Sequence, residues 1–270
     1  MEFGWLAALL LGIVEGLTEF LPVSSTGHLI LASALLGLHG PKIIAFEIVI
    51  QGAAILAVCW EYRRLLIGTA TSLTHDPNSR RFALNVVLGF LPLAVLGLLF
   101  KDVIEARLFH PVPVAIALVL GGIAILWVDG RKHSESMREM ADVTPAAALK
   151  LGFWQSLALV PGTSRSAATI IGGTFMGMSR RLATEYSFFL AIPTLLGATL
   201  YKFVEARQLF SQADLVPLAI GSVVAFVTAL IAVRGFLRFV STHTFAVFAW
   251  YRIAFGALVL LTYALGFSAW

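Results

Sequence analysis

The sequence has little charge for its length. Lys, Arg, Asp and Glu make up 13% of its 270 residues, about half of the roughly 25% that is usual in a soluble domain. Apolar residues make up 59%. A soluble chain of this composition could not cover its surface with polar groups, which excludes a soluble enzyme, a disordered regulator and a nucleic-acid-binding module. The composition indicates a helical integral membrane protein whose partner is the lipid bilayer.

Cysteine is also scarce. Cys59 stands alone, which excludes an internal disulfide and a cysteine-based metal site. The apolar segments are long and unbroken, which argues against a transmembrane β-barrel. The net charge of +4 is typical of basic cytoplasmic loops and requires no nucleic-acid partner. The first apolar stretch has no basic segment before it and carries Glu15 and Glu19, so we do not expect a cleaved signal peptide.

Six stretches are long and apolar enough to span a bilayer, which takes about 20 residues. They run over 42–60, 82–100, 112–128, 184–203, 215–233 and 245–268. Most Lys and Arg fall on one side of these spans, mainly in 61–81 and 129–150. The positive-inside rule places that side in the cytoplasm and both termini outside.

Two further regions, 3–38 and 145–179, are apolar but interrupted by polar residues. Pro22 and the run 24–28 break the first, and the run 161–166 breaks the second. We predict that each region forms a re-entrant helix–break–helix hairpin, which enters and leaves the membrane on the same side. Two ordinary spans per region are the alternative, and they give the same sidedness.

The order of elements predicts an inverted-topology repeat. One hairpin and three spans occur twice, in about 1–128 and about 145–268, within a single membrane domain of residues 1–270. An odd number of spans between the hairpins makes the repeat inverted, and such repeats place a binding site near the bilayer midplane. The residue pairs that match between the halves are Gly12–Gly152, Glu15–Gln155, Pro22–Pro161 and Ser25–Ser164.

The first break combines acids, hydroxyls and a histidine. Glu15 and Glu19 share one helical face, and buried carboxylates need a cation, a shared proton or a basic partner. After Pro22, the start of the next helix offers free N–H groups and hydroxyls that suit an anion. These hydroxyl and imidazole side chains are Ser24, Ser25, Thr26 and His28.

The second break repeats the hydroxyls and adds a cation. Arg165 can bind phosphate through its planar fork, and its neighbours are Thr163, Ser164 and Ser166. Helix capping alone would explain the hydroxyls, but not the acids, the histidine and the arginine together. The set predicts a phosphate pocket for phosphoryl transfer. Glu15 and Glu19 would bind a divalent cation, Mg²⁺ or Ca²⁺, or one of them would act as a base.

Both breaks resemble a known family. The run 15–28 resembles the first signature of undecaprenyl-diphosphate phosphatases, the bacterial membrane enzymes linked to bacitracin resistance. The run 161–166 resembles their second signature, the run 185–193 is also similar, and the resemblance covers essentially the whole chain. Two small-residue positions depart from the family pattern: Ala167 stands where the family usually has glycine, and Gly52 comes one position early.

The resemblance implies hydrolysis of a polyprenyl diphosphate lipid, undecaprenyl diphosphate, to undecaprenyl phosphate and inorganic phosphate. This reaction recycles the lipid carrier for cell-wall synthesis. The resemblance also implies the bacterial inner membrane, a site open to the outer face and no organic cofactor. A lipid or anion transporter is the alternative function, since inverted repeats with broken helices are typical of transporters.

Each residue of the two breaks then has an expected role. Arg165 clamps the diphosphate, Glu15 and Glu19 hold a cation or act as base, Ser25 is the nucleophile and His28 handles its proton. Direct attack by water is the rival mechanism. The remaining phosphate-binding hydroxyls are Ser24, Thr26, Thr163, Ser164 and Ser166.

Some residues are left open by the sequence. Glu47, Glu185 and Arg252 lie at or near membrane depth without an assigned role. The pairs Gly12/Gly16 and Gly173/Gly177 have the spacing of close helix contacts, which would serve a homodimer or packing within one chain.

Overall fold

The computed structural model describes residues 4–108, 110–131 and 134–266, without the side chains of residues 105 and 106. This part of the chain is helical, with one isolated β-bridge between Met137 and Met178. Its helices are α1 Trp5–Thr18, α2 Ser25–Leu35, α3 Pro41–Glu61, α4 Arg63–Ser72, α5 Pro77–Leu108, α6 Pro111–Asp129, α7 Pro145–Ser156, α8 Arg165–Phe175, α9 Arg180–Ala206, α10 Leu215–Val240 and α11 Ala246–Ala264.

The six predicted spans are confirmed as long apolar helices. Within the described residues, α3, α5, α6, α9, α10 and α11 are long and apolar enough to cross a membrane. Several are longer than the apolar stretch alone, because α5 and α9 continue into polar turns at their ends. The predicted loop 61–81 contains α4, a short helix that its polar residues concealed.

The two interrupted regions each form two short helices separated by a break. The segment 19–24 separates α1 from α2, and 157–164 separates α7 from α8. The last residue before the second helix is Ser24 in one break, with a φ of 72°, and Ser164 in the other, with a φ of 69°. This left-handed conformation is rare for residues other than glycine. The backbone therefore pairs Ser164 with Ser24, one residue earlier than the pairing with Ser25 that the sequence suggested.

Glycines let the first helix of each broken pair approach a long helix closely. A Cβ atom on Gly12 would lie 2.7 Å from the carbonyl oxygen of Gly221 in α10, and one on Gly152 would lie 2.7 Å from that of Gly89 in α5. Gly16 also packs on α10. The Gly12/Gly16 spacing therefore serves packing within one chain and gives no argument for a homodimer.

The second glycine pair is likewise used locally. Gly173 packs against Met178 and Ala183. Gly177 has a φ of +93° in the turn that follows α8, and its carbonyl accepts hydrogen bonds from the N–H groups of Ser136 and Met137. This pair therefore also supports the fold of one chain.

Candidate active site

Both breaks contribute to one polar cavity inside the helix bundle. Its volume is about 200 Å³. Its polar lining comes from the first break, from α3 and α9, and from the second break: Glu19, Ser24, Ser25, Thr26, Gln51, Ser164, Arg165 and Thr194. The breaks are far apart in sequence, so the fold itself assembles this site.

Glu19 is the centre of the hydrogen bonds in the cavity. Its Oε2 accepts a hydrogen bond from Ser25 Oγ at 2.5 Å and another from Gln51 Nε2 at 3.2 Å. Its Oε1 accepts from Arg165 Nη2 at 3.2 Å. Glu19 is 6% exposed and Arg165 is 8% exposed, so water screens this ion pair little. The carboxylate of Glu19 therefore links the Ser25 hydroxyl of the first break to the Arg165 guanidinium of the second.

Arg165 is held in place from two sides. Besides Glu19, its Nη1 donates to the carbonyl oxygen of Ser187 at 3.0 Å. Ser187 Oγ accepts from Thr169 Oγ1 at 2.6 Å, which ties α8 to α9 at the same level. The guanidinium has five N–H donors, and its buried Nε has no hydrogen-bond partner. Donors therefore remain for an anion in the cavity.

Glu15 lies one helical turn before Glu19 and has no polar contact. It is fully buried, and both of its carboxylate oxygens lack a hydrogen-bond partner. Arg165, the basic residue of the second break, pairs with Glu19 and not with Glu15. Within the described residues no three His, Cys, Asp or Glu side chains form a metal-binding group. Glu15 is also absent from the residues that line the cavity. Carboxylates are ligands that Mg²⁺ and Ca²⁺ prefer, so Glu15 and Glu19 are the residues that would hold such a cation.

The hydroxyls of the two breaks divide into two groups. Ser24, Thr26 and Ser164 line the polar cavity. Ser166 lies beneath it, where its Oγ donates to the carbonyl oxygen of Leu21 at 2.8 Å. Thr163 lines an apolar groove on α6–α8 and is absent from the lining of the polar cavity. The structure thus brings three of the five predicted phosphate-binding hydroxyls to the cavity.

His28 has partners other than Ser25. Its Nδ1 lies 2.7 Å from the carbonyl oxygen of Ser24, and its Nε2 lies 2.6 Å from the hydroxyl of Tyr251. The ring also stacks on Phe255, with 4.5 Å between ring centroids. The three-residue spacing from Ser25 therefore does not produce a hydrogen bond, and Glu19 is the partner of the Ser25 hydroxyl.

Arg252, which the sequence left without a role, connects the two breaks. Its Nη1 donates to the carbonyl oxygen of Pro22 at 3.2 Å, and its Nη2 donates to that of Gly162 at 3.0 Å. Two further bonds reach the carbonyl oxygens of Ala117 and Leu118 in α6. The side chain is fully buried, so these four carbonyls stabilise its charge in place of water.

Three other polar residues lie in the spans, and only Gln51 lines the cavity. Gln51 was missed as a site residue, although it is a polar side chain inside an apolar span and that contrast could have revealed it. Glu47 accepts a hydrogen bond from Ser33 Oγ at 2.6 Å, one turn before Gln51 on α3. Glu185 forms an ion pair with Arg181 on the same helix at 3.0 Å, which accounts for its position near the helix start.

The fold and the site define this chain as a multi-pass helical membrane protein. Its buried acid, hydroxyl and guanidinium groups come from two helix pairs that are each interrupted by a break. The family profile described as bacitracin resistance protein BacA matches residues 8–258, and the chain belongs to this family. It is 52% identical over 272 residues to a protein of Pseudomonas putida (strain W619) named undecaprenyl-diphosphatase, covering 100% of this chain and 98% of the relative. A protein of Nitrosospira multiformis with the same name is 55% identical over 265 residues, which cover 98% of this chain and 97% of the relative.

Proposed function

We propose that this protein hydrolyses undecaprenyl diphosphate to undecaprenyl phosphate and inorganic phosphate. The reaction adds one water across the P–O–P bond, and it recycles the lipid carrier of cell-wall synthesis. The names of the full-length relatives support this substrate. The observation that carries the chemistry is the shared carboxylate of Glu19, which contacts Ser25 from one break and Arg165 from the other.

In this proposal Arg165 and the hydroxyls hold the diphosphate. Arg165 balances the charge that develops on the transferred phosphoryl group. Ser24, Thr26 and Ser164, with nearby backbone N–H groups, contact the remaining oxygens. Thr163 and Ser166 support the break from outside the cavity.

Ser25 and Glu19 carry the bond-making step. Glu19 accepts the proton of the Ser25 hydroxyl as its oxygen attacks the terminal phosphorus, and undecaprenyl phosphate leaves. Water then hydrolyses the phosphoserine and releases inorganic phosphate. In the rival route Glu19 activates water directly and Ser25 only orients the phosphate. In either route His28 exchanges a proton with the Tyr251 hydroxyl and not with Ser25, while the backbone carbonyl oxygen of Ser24 holds its ring in place.

A divalent cation, Mg²⁺ or Ca²⁺, is proposed to bind Glu15 and Glu19. When bound it would neutralise charge on the phosphate oxygens. Glu15 is the residue best suited to it, because its buried oxygens have no other partner.

We further propose that the broken pairs α1–α2 and α7–α8 are re-entrant hairpins of an inverted repeat, comprising about 1–128 and about 145–268. In such a repeat α1 corresponds to α7, α3 to α9, α5 to α10 and α6 to α11. The packing supports this, because α1 packs on α10 in the same way that α7 packs on α5. The helices α3 and α9 also pack on each other, as do α6 and α11. The same proposal places the protein in the bacterial inner membrane, with basic loops in the cytoplasm and the cavity open to the outer face.

Phosphate release from undecaprenyl diphosphate by the purified chain in detergent tests the function. We expect release by the unaltered protein and none above background by Glu19→Gln. Uptake of a phosphate compound into proteoliposomes without any hydrolysis would favour a transporter instead. The relatives are named as diphosphatases and give no support to a transporter. A carrier also does not need the Ser25–Glu19 contact.

A further inference from the structure

An apolar groove lies beside the second break, next to the polar cavity. Its volume is about 430 Å³, within the roughly 300–1,000 Å³ typical of ligand pockets. Apart from Thr163 and the indole N–H of Trp154, its lining side chains are apolar. They come from α6, from α8 and from the end of α7 with the turn that follows it, and include Ile116, Leu120, Ala124, Leu157, Ala168 and Ile171.

The second break is a shared wall between the groove and the cavity. Val160 and Thr163 line the groove, whereas Pro161 and Ser164 line the polar cavity. The two spaces are thus separated by the thickness of one backbone segment. A molecule with its polar head at Arg165 and its apolar chain along α6 would extend across this single segment.

The groove is open on its outer rim. Leu120 is 59% exposed and Leu157 is 48% exposed. Because α6 is one of the candidate membrane spans, the surroundings of this rim are lipid chains. A long hydrocarbon could therefore leave the groove directly into the bilayer.

We propose that this groove holds the first isoprene units of the substrate while its diphosphate lies in the polar cavity. This inference rests on the proposed function and adds to it the position of the lipid chain. Lipid is as apolar as leucine, so the groove gains no hydrophobic energy from the chain. Its contribution is steric: it lets the chain approach a buried charged site without crossing polar groups, which would be costly.

The test uses two alanines that receive the same substitution. Ala124 lines the groove on α6, and Ala257 lies exposed on α11 outside it. We expect Ala124→Trp to lower kcat/KM for undecaprenyl diphosphate about tenfold, because the indole occupies the path of the chain. Hydrolysis of methyl diphosphate, which has the diphosphate head but no isoprene unit, should stay within about twofold. Ala257→Trp should change neither.

The outcomes separate this inference from the function on which it rests. If the unaltered protein releases phosphate from neither diphosphate, the proposed function fails. If it hydrolyses both, and Ala124→Trp leaves their ratio unchanged, the groove does not hold the chain.

A second measurement needs no variant. A non-hydrolysable undecaprenyl diphosphonate with a diazirine on its first isoprene unit is photolysed with the unaltered protein, and the label is mapped by mass spectrometry. Label on Leu120, Ala124 or Leu157 supports the proposal. Label on Leu93 and Leu195, the apolar residues of the cavity's other wall, overturns it.

Discussion

The Ser25 hydroxyl donates its hydrogen bond to Glu19, across the turn that separates α1 from α2. The donor and the acceptor belong to the same break, so their distance of 2.5 Å depends on how that turn is built. This contact provides the nearest base to the hydroxyl and makes a clear prediction about the reaction.

Ser25→Ala should lower kcat about 1,000-fold with little change in KM, because a nucleophile acts in the chemical step rather than in binding. Phosphate release from undecaprenyl diphosphate measures both constants. Ser33→Ala is the matched control, since this serine lies on the same helix but bonds to Glu47. A turnover within about tenfold of the unaltered protein would show that water attacks directly.

Arg165→Ala should abolish activity and destabilise the fold. Removing one partner of a buried ion pair costs about 3–5 kcal/mol, because the other charge is left uncompensated. Arg181→Ala, which breaks an exposed pair with Glu185, should cost less than about 1 kcal/mol. Thermal unfolding compares the two. Adding Glu19→Gln to Arg165→Ala should restore part of the lost stability, and a further loss in the double variant would contradict this electrostatic account.

Glu15→Gln should separate stability from activity. The Glu15 carboxyl group is buried without a partner, and Gln is a neutral side chain of the same shape, so the Tm in the presence of a chelator should change little. The same change should lower phosphate release and weaken its dependence on added Mg²⁺ or Ca²⁺. The measurements are thermal unfolding in chelator and activity against cation concentration. An unchanged cation dependence would remove Glu15 as a ligand.

Gly121→Ala should damage the site without touching a proposed catalytic residue. A Cβ atom there would lie 2.1 Å from Arg252 Nη2, and four carbonyl contacts prevent the guanidinium from moving freely. We expect a loss of about 1–3 kcal/mol in stability together with lower kcat, because the two breaks lose one of their connections. Gly235→Ala, with open space around its added Cβ, is the control. Equal effects of both changes on kcat would mean that Arg252 does not position the breaks.

The loop that contains Asp142, outside the membrane spans, should lose stability at acid pH. The pKa of Asp142 lies below the usual value because its carboxylate accepts hydrogen bonds from the backbone N–H groups of Arg138 and Glu139. A lowered pKa in the folded state stabilises the loop above the ordinary value of about 3.9, and this stability is lost as the pH falls below it. The protection of the two amides against hydrogen exchange, relative to their intrinsic rates, should fall there, and Asp142→Asn should remove this pH dependence.

The six spans could be predicted because a membrane-spanning helix is recognisable from its local apolar composition alone. A run of about 20 apolar residues is sufficient to identify each of them. The helix α4 was missed because its residues are mostly exposed and its mean polarity is that of a loop. Its amphipathic pattern was too short to outweigh that polarity.

Within the site, the residue types were predictable and their partners were not. Glu19, Ser25 and Arg165 are unusual in a membrane segment, so the sequence identifies them without help from the fold. Helical spacing suggested that His28 serves Ser25. The outcome differed because the turn before α2 directs Ser25 toward Glu19, while Tyr251 on α11 takes His28. Such contacts between distant segments have no local signal in the sequence.

Ser24 and Ser164, which precede α2 and α8, have the same left-handed backbone conformation but present different side chains to the site. After each of them the next residue is the first of a helix and is buried: Ser25 in one case and Arg165 in the other. One turn thus presents a hydroxyl and its counterpart presents a guanidinium, and both side chains reach Glu19. A chain containing only one of the two turns would have either the proposed attacking group or the proposed charge clamp, so under this proposal neither half could work alone.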